Sequence, residues 1–316
     1  MDTLSRLIDL ARPQASLDLR CLLSGAFDLD HDPMEAGIAP FHLVLDGACI
    51  VETADGAQHA LSAGDFMLFP RGAAHRVRDV KRLAAAAPLT LGHDGMLPLR
   101  RNDGHDDARV SADVDLLCGR FLYAPGSSAL LLNALPDPFH VSLSGMQTLG
   151  SLQTVIALMR TEAERRQAGA LAIVTALSQA LFAMALRAHG EQNASTSGVL
   201  ALLADARLGA SVQGMLDAPG RAWSIAELGE LAAMSRATYA RHFNERAGMT
   251  VMDFLTQIRM TIACDLLRRT QRSAAEIGEA VGYQSEAAFG KAFQQSVGVT
   301  PGRYRRLPQE NGAAQS

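Results

Sequence analysis

The hydrophobic pattern changes character near the middle of the chain. Between residues 18 and 80, apolar and polar positions alternate over short runs interrupted by Gly, Asp and Pro, which is typical of short β-strands. From residue 149 onward, apolar positions recur every three to four residues, as along one face of a helix. The pattern therefore predicts an α+β protein with strands first and helices second.

Further elements are predicted between these two regions. Residues 84–113 combine an alanine run with mixed charge and glycine, which predicts a long exposed loop. A strand is expected at Val114–Tyr123, and two helices at Leu149–Arg166 and Ala168–Ala188. The apolar run inside the second helix is shorter than the roughly 18–20 residues that a membrane span needs, so we expect a buried helix there.

A pattern near the C-terminus occurs twice. Ser235–Phe243 aligns with Ser285–Phe293 at an offset of 50 residues, and both read S-x-A-x-aromatic-x-basic-x-F. Each copy predicts two short helices joined by a turn, the arrangement of a helix-turn-helix. Upstream of each copy lies the sequence of a capping box, Ser-x-x-Glu, at 224–227 and at 273–276.

The second helix of each copy has a basic outer face. Its two aromatic residues lie at i and i+4 and are expected to point inward. The outward positions are candidate DNA contacts: Arg236, Ala237, Ala240, Arg241, Glu286, Ala287, Gly290 and Lys291. A helix predicted at Phe254–Leu267, about 21 Å long, could hold the two copies in successive major grooves. A helical bundle that binds no DNA is the alternative on geometry alone.

The charge distribution along the chain favours DNA binding over a helical bundle that binds no DNA. Residues 206–307 contain 13 basic and 9 acidic residues, a net charge of +4, whereas the rest of the chain carries −8. A basic block in an acidic chain is typical of a nucleic-acid-binding domain. The N-terminus has an early acid and no apolar run, so we expect no signal peptide, a cytoplasmic protein and reduced thiols.

The residues from Trp223 to Arg305 resemble the DNA-binding domain of AraC-type transcriptional regulators. The matching positions include Ser235-Arg236, Gly282-Tyr283 and Gly298-Val-Thr-Pro301. The resemblance implies binding of double-stranded DNA by two recognition helices in adjacent major grooves, with RNA polymerase as a further partner. It also implies a homodimer whose contact lies in the helices after the N-terminal domain.

The N-terminal half resembles a cupin, a small jelly-roll barrel. Gly64–His75 follows G-x5-P-x-G-x2-H, the second cupin motif, whereas the first motif is degraded and lacks its H-x-H pair. His42 and His75 are candidate ligands of a divalent metal in the barrel, with Glu52 or His59 as further donors. Because the H-x-H pair is missing, we expect no enzyme, and a cupin enzyme fused to a DNA-binding domain is a remote alternative.

These observations predict five regions. They are a cupin-like sensor domain at 1–128, a helical dimerisation hairpin at 129–190, a linker at 191–205, an all-α domain with two helix-turn-helix motifs at 206–307, and a tail at 308–316. The chain is therefore expected to be a sequence-specific regulator of transcription, and family habit favours an activator.

The four cysteines raise the question of the signal. None forms a C-x-x-C pair, and Cys49 and Cys264 are expected to pack as small apolar residues. Within the AraC-type regulators, the chain resembles the reactive-chlorine-responsive activators, in which two matching cysteines sense oxidants. That resemblance implies redox sensing by Cys21 and Cys118. The alternatives are that both are inert core residues and that a small molecule or metal in the cupin pocket is the signal.

Overall fold

A computed structural model describes residues 2–81, 88–93, 96–102, 112–124, 126, 129–142, 149–165, 167–192 and 198–307 of the 316-residue chain. The predicted tail at 308–316, residues 193–197 of the predicted linker and residues 103–111 of the predicted loop lie outside this part. Apart from two short helices at Thr3–Ala11 and Ala129–Leu132, the strands precede the helices within it, so the predicted α+β class is confirmed.

Ten strands form the described N-terminal sheet system. They are β1 Gln14–Leu23, β2 Asp28–His31, β3 Ile38–Thr53, β4 Gln58–Ser62, β5 Phe66–Leu68, β6 His75–Arg78, β7 Thr90–His93, β8 Pro98–Arg101, β9 Val114–Leu122 and β10 Phe139–Val141. One path of paired strands runs β10-β5-β3-β9-β1-β8-β7, while β4 and β6 pair with β3 and β2 pairs with β6.

The long strand β3 belongs to both halves of this curled sheet. Its first half pairs with β9, and its second half pairs with β4 and β6. Gly47 lies where the partners change, with φ +78, and a Cβ there would approach the Asp113 carbonyl oxygen to 1.8 Å. Glycine is therefore required at the bend that curls the sheet into the cupin-like barrel.

The loop predicted at 84–113 is wrong in part. The strands β7 and β8 lie inside it, and β8 pairs in parallel with β1, with Cys21 opposite Arg100. Both strands have only four residues, and the residues of β7 are exposed on both faces. Such short strands lack the alternation that identifies a strand from sequence, so only their pairing defines them.

Twelve helices lie in the described residues. They are α1 Thr3–Ala11, α2 Ala129–Leu132, α3 Leu149–Arg165, α4 Ala170–Gln192, α5 Val199–Ala204, α6 Gly209–Asp217, α7 Ile225–Leu231, α8 Arg236–Ala247, α9 Val251–Arg269, α10 Ala274–Ala280, α11 Glu286–Val297 and α12 Pro301–Arg306. The helix predicted at Phe254–Leu267 lies within α9.

The chain divides into two compact units. The barrel unit consists of Pro13–Tyr123 and Leu135–Gln192, and the helical unit consists of Met1–Arg12, Ala124–Ala134 and Asn193–Ser316. In the barrel unit, α3 is held by Arg20, which donates to the carbonyl oxygen of Ala163 at 3.1 Å and pairs with buried Asp115. The helical unit includes α1, whose Leu7 and Leu10 belong to its apolar core.

The helix α4 is long and apolar enough over Ala170–Gly190 to cross a membrane by length and composition, but 39% of that stretch is buried. Its buried positions include Val174, Leu181 and Phe182, and Phe182 packs on Phe121 of β9. Together with the packing of α4 against α3, these contacts make it a helix of the barrel unit's core, one that leaves other apolar side chains exposed.

Candidate functional site

A pair of thiols lies inside the barrel on the neighbouring strands β1 and β9. Cys21 is opposite Leu116, and Cys118 is opposite Leu19, so the cysteines are diagonal neighbours on one face. Both are buried in one apolar cluster. A hydrogen bond with Cys21, together with burial, raises the pKa of the Cys118 thiol well above its ordinary value. The structure therefore places the two predicted redox residues next to each other on one inner face of the barrel.

His42 extends the thiol pair. It lies on β3 directly opposite Cys118 of β9, and its Nδ1 atom is 3.2 Å from the Cys118 Sγ atom. Burial lowers the pKa of His42 well below its ordinary value, with smaller contributions from His31 and His75. A neutral His42 has one ring nitrogen free to accept a proton, and the nearest donor on the Nδ1 side is the Cys118 thiol.

The other two cysteines are packed without such a partner. Burial raises the pKa of Cys49, on β3, to about 12, and that of Cys264, on α9, to about 12. Cys49 shares the apolar cluster of the thiol pair, whereas Cys264 lies in the core around α10 and α11. Within the described part of the chain, neither of these two thiols contacts an imidazole nitrogen, as that of Cys118 does.

Three histidines meet beside the thiols. The Nε2 atoms of His42 and His75 are 2.7 Å apart, and His31 of β2 lies directly opposite His75 of β6. The rings of His31 and His75 stack with centroids 4.7 Å apart, and Phe69 stacks on His75 at 3.8 Å. One ligand atom from each histidine lies within 4.8 Å of the other two. We call these three residues the histidine cluster.

Hydrogen bonds fix how the histidine cluster presents its nitrogens. The Nδ1 atom of His75 is 2.9 Å from the carbonyl oxygen of Ala73, which can only accept, so Nδ1 carries the proton and Nε2 is free as an acceptor. His42 Nε2 then donates to His75. The Nε2 atom of His31 is buried and has no hydrogen-bond partner in the described structure. Burial lowers the pKa of His31 to about 4, so its ring is neutral at pH 7.

The candidate metal donors differ from those expected. His42 and His75 meet as predicted neighbours, but Glu52 binds Arg78 and His59 lies beside His140, so neither joins the histidine cluster. The third member is His31, which sequence reasoning missed. The sequence pattern that indicates His31 is the alternation of side chains along a strand. In Asp28-Leu29-Asp30-His31, the apolar Leu29 points inward, so His31, two residues later, lies on the same inward face.

A pocket opens onto the histidine cluster. It has a volume of about 400 Å³ and reaches His31 and His75 from the surface. Its rim carries the carboxylates of Asp30, Asp32 and Glu52 and the guanidinium of Arg76. His42 lies behind the other two histidines, fully buried. The pocket therefore connects solvent to two of the three histidines of the histidine cluster.

The first candidate DNA-contact helix is α8. Ser235 caps it by accepting from the Thr238 backbone N–H, and Tyr239 and Phe243 are fully buried in the core of the helical unit. This packing exposes Arg236, Ala237 and Arg241 and leaves Ala240 partly exposed. The outward face is the one predicted from the repeat.

The second candidate DNA-contact helix, α11, repeats this arrangement. Ser285 caps it, and Phe289 and Phe293 are fully buried. The outward positions on α11 are Glu286, Ala287 and Lys291, which are exposed, and Gly290, which is partly exposed. Both predicted capping boxes upstream, Ser224 with Glu227 and Ser273 with Glu276, are present.

Three basic side chains on the outward faces of α8 and α11 are unpaired in the described structure. Within the described residues, Arg236, Arg241 and Lys291 have no hydrogen bond or ion pair, whereas other arginines of the helical unit, such as Arg246 and Arg259, bind backbone carbonyls. Unpaired cations on two related helices provide donors for phosphates and base edges.

Comparison with known proteins agrees with the fold of both halves of the chain. Residues 2–191 match the cupin family and residues 228–307 match a helix-turn-helix domain family. An uncharacterized HTH-type transcriptional regulator of Haemophilus influenzae is 33% identical, covering 97% of this chain and 99% of its own. The HTH-type transcriptional regulator MtrA of Neisseria gonorrhoeae is also 33% identical, covering 97% and 98%.

A third relative is the RCS-specific HTH-type transcriptional activator RclR of Escherichia coli, which is 30% identical and covers 96% of this chain and 97% of its own. These relatives match nearly the whole chain, and so include both units. Together with the cupin-like barrel and the two helix-turn-helix motifs, they show that this chain belongs to the AraC-type transcriptional regulators with an N-terminal cupin domain.

Proposed function

We propose that this regulator is a cytoplasmic, sequence-specific activator, not an enzyme, whose DNA binding is controlled by oxidation of Cys21 and Cys118. The observation that carries the proposal is the placement of these two buried thiols as diagonal neighbours in one apolar cluster, where the Cys118 sulfur also lies 3.2 Å from an imidazole nitrogen of His42. The proposed oxidant is hypochlorous acid, in keeping with the RCS-specific relative.

The chemistry proceeds in two balanced steps. The Cys118 sulfur, whose thiol lies against Nδ1 of His42, attacks the chlorine of hypochlorous acid, so that an S–Cl bond forms and the O–Cl bond breaks, and the leaving hydroxide takes up the thiol proton and departs as water. The Cys21 sulfur then attacks the Cys118 sulfur, the S–S bond forms, chloride leaves and the Cys21 proton passes to water. The cysteine pair loses two electrons and the oxidant is reduced to chloride.

A disulfide at this position alters the strand pairing. Diagonal neighbours on antiparallel strands have Cα atoms about 7–8 Å apart, whereas a disulfide requires about 7 Å or less. The strands must therefore shift slightly to close the bond. A register shift between Leu17 and Leu19, two to four residues from Cys21, gives β1 an irregular point at which it can adjust.

For DNA contact we propose the eight outward residues of α8 and α11. Arg241 is assigned to guanine edges, and Lys291 and Arg236 to phosphates. Ala237, Ala240, Ala287 and Gly290 have no polar side-chain atoms and can at most contact a thymine methyl group. Sequence readout by this chain therefore relies on few direct contacts together with DNA shape.

The exposed apolar side chains of α3 and α4 are the proposed dimer contact. Leu158 of α3 and Leu171 and Ile173 of α4 are 41–45% exposed, more than is common for such residues in a cluster. A second copy would cover them, and dimers of such regulators bind paired half-sites. RNA polymerase is the further partner proposed for an activator.

The test of the switch combines a thiol map with DNA binding. The purified chain is treated with about one equivalent of hypochlorous acid, alkylated and analysed by mass spectrometry, and its affinity is measured for a DNA fragment selected from random sequence. We expect a Cys21–Cys118 link and a change in affinity that C21A and C118A both abolish. C49A is the matched control, because Cys49 is buried in the same apolar cluster.

Unchanged alkylation of both cysteines, or an oxidant response that survives in C21A and C118A, would overturn the switch. DNA binding by the reduced protein would be unaffected by that result. The second candidate is control by a ligand in the cupin pocket, which the histidine cluster and its open pocket favour.

A further inference from the structure

We propose that His31, His42 and His75 form a binding site for a divalent transition metal ion of the zinc type. This inference deepens the ligand alternative of the proposed function by naming the ligand's chemistry. It does not depend on the cysteine switch. The three strands β2, β3 and β6 each contribute one histidine to the site.

The donor set fits such an ion. Three imidazoles suit Zn²⁺, Cu²⁺, Ni²⁺ and Fe²⁺, whereas Mg²⁺ and Ca²⁺ prefer oxygen ligands. Zinc binds imidazole nitrogen at about 2.0–2.1 Å, so that nitrogens in a tetrahedral site are about 3.3 Å apart. The Nε2 atoms of His42 and His75 are 2.7 Å apart, and the three ligand atoms all lie within 4.8 Å. Side-chain adjustments of about an ångström would admit an ion.

One nitrogen in the histidine cluster has no partner without an ion. His42 and His75 satisfy each other through a single hydrogen bond, but the buried Nε2 atom of His31 has none in the described structure. A buried polar atom without a partner is destabilising and uncommon in a native core. A bound cation would give all three nitrogens a partner at once.

Residues around His75 fix the orientation of its ring, as residues around the histidine ligands of metal sites commonly do. The Ala73 carbonyl oxygen accepts the Nδ1 proton of His75, leaving Nε2 free, and Phe69 stacks on the same ring. A backbone carbonyl behind a ligating histidine is a common outer-shell arrangement at metal sites. The ring orientation is thus set before any ion arrives.

The pocket supplies a route for the ion and an open coordination position. It reaches His31 and His75, and three carboxylates line it, of which Asp30 is paired with Arg76 and Glu52 with Arg78, so that Asp32 is the carboxylate of the lining that is left to attract a cation. Three protein ligands with an open fourth position allow water to complete the coordination. On His42, the ion would bind Nε2, so the proton of the neutral ring would move to Nδ1 on the opposite edge, which faces the Cys118 sulfur.

The experiment titrates the full chain, freed of metal by a chelator, with Zn²⁺ by calorimetry and with Co²⁺ by visible absorption. We expect calorimetry to give one ion per chain. We expect the visible spectrum to show the absorption bands of Co²⁺ bound by nitrogen, without a sulfur-to-cobalt charge-transfer band. H31Q and H75Q should each weaken binding by about a hundredfold. H59Q is the matched control, a histidine of the same barrel outside the cluster, and should bind as the parent does.

Circular dichroism of each variant checks folding, and His31 is suited to replacement because it lies at the end of a strand and is partly exposed. The double variant C21A/C118A should retain the ion, so a failed redox switch leaves this result intact. The proposal is overturned if H31Q and H75Q bind Co²⁺ as tightly as H59Q, if the parent binds no ion at micromolar concentration, or if binding is lost only with the cysteines.

Discussion

The imidazole of His42 uses both of its nitrogens inside the barrel. Nδ1 lies 3.2 Å from the Cys118 sulfur, and Nε2 lies 2.7 Å from Nε2 of His75. An amide side chain could replace one of these contacts but not both with the same geometry. His42 is therefore the residue at which the proposed thiol chemistry and the proposed ion site meet.

The DNA-contact face also depends on single residues. Replacing Arg241 with alanine should weaken binding to the selected DNA by about 1–3 kcal/mol and relax discrimination at one base pair, because a guanidinium can bind guanine with two hydrogen bonds. Fluorescence anisotropy against the selected fragment and its single-base variants measures both effects. An equal loss for every variant would contradict base contact by Arg241.

Lys291 should behave differently. Because a contact between lysine and a phosphate does not depend on the DNA sequence, K291A should weaken binding to all fragments alike. It should also reduce the slope of the logarithm of the binding constant against the logarithm of the salt concentration by about 1 in magnitude. Titration at several KCl concentrations measures the slope. R76A removes one cation from the barrel unit and should leave the slope unchanged.

At the scale of elements, local signals were predictable and non-local pairing was not. The capping boxes of α7 and α10 and the buried aromatic pairs of α8 and α11 follow from spacings of three and four residues, so the sequence alone identifies them. The strands β7 and β8 were missed because only their partners define them. His31 was missed because its neighbours His42 and His75 are 11 and 44 residues away and meet it only in the folded barrel.

The capping box of α7 makes the helical unit sensitive to acid. Backbone and side-chain hydrogen bonds with Ser224, then one with Arg221, lower the pKa of Glu227 to about 2. Since this pKa is below the ordinary value of 4.5, the ionised Glu227 carboxylate stabilises the folded state above pH 4.5, and this stabilisation is lost as the pH falls toward 2. E227Q should therefore melt at a lower temperature than the parent at pH 6, and the difference should shrink by pH 3.

Trp223, the one tryptophan of the chain, lies in the helical unit and reports this melting by fluorescence. E230Q makes the same change of charge on α7 outside the capping box, and it should show no such pH-dependent difference. A gap between parent and E227Q that is constant with pH would show that the carboxylate of Glu227 does not carry the effect.

At the scale of the molecule, the two cysteine strands continue directly into the helical unit. The strand β1 begins two residues after Arg12, the last residue of an N-terminal segment of that unit, and β9 ends at Leu122, just before Ala124–Ala134. Because the strands are antiparallel, Gln14 pairs with Leu122, so both connections leave from the same end. A shift of β1 against β9 therefore pulls on two covalent connections at once.

Lengthening one connection tests this coupling. Insertion of two glycines between Arg12 and Pro13 should leave DNA binding by the reduced protein intact and diminish its response to hypochlorous acid, because slack in the chain absorbs the shift. Anisotropy before and after oxidation gives the response, and the thiol map verifies that the disulfide still forms. An undiminished response would mean that the signal does not travel through this connection.

The assembly proposed for α3 and α4 has its own test. I173E places a charge in the exposed apolar patch and should convert a dimer to a monomer in sedimentation velocity, because burying an unpaired carboxylate opposes association. A60E introduces the same group on an exposed position of β4 and should remain dimeric. Equal sedimentation of I173E and the parent would place the interface elsewhere.

The scarcity of lysine gives the exposed face of α11 a practical consequence. The chain has two lysines, and both Lys81 and Lys291 are exposed. An amine-reactive reagent therefore modifies two side chains, one in the barrel unit and one on the proposed DNA face. The extent of modification of Lys291 relative to that of Lys81 therefore measures DNA binding: bound DNA should protect Lys291, while Lys81 serves as the reference. The same chain can thus report its promoter occupancy chemically, with no probe attached and no residue replaced.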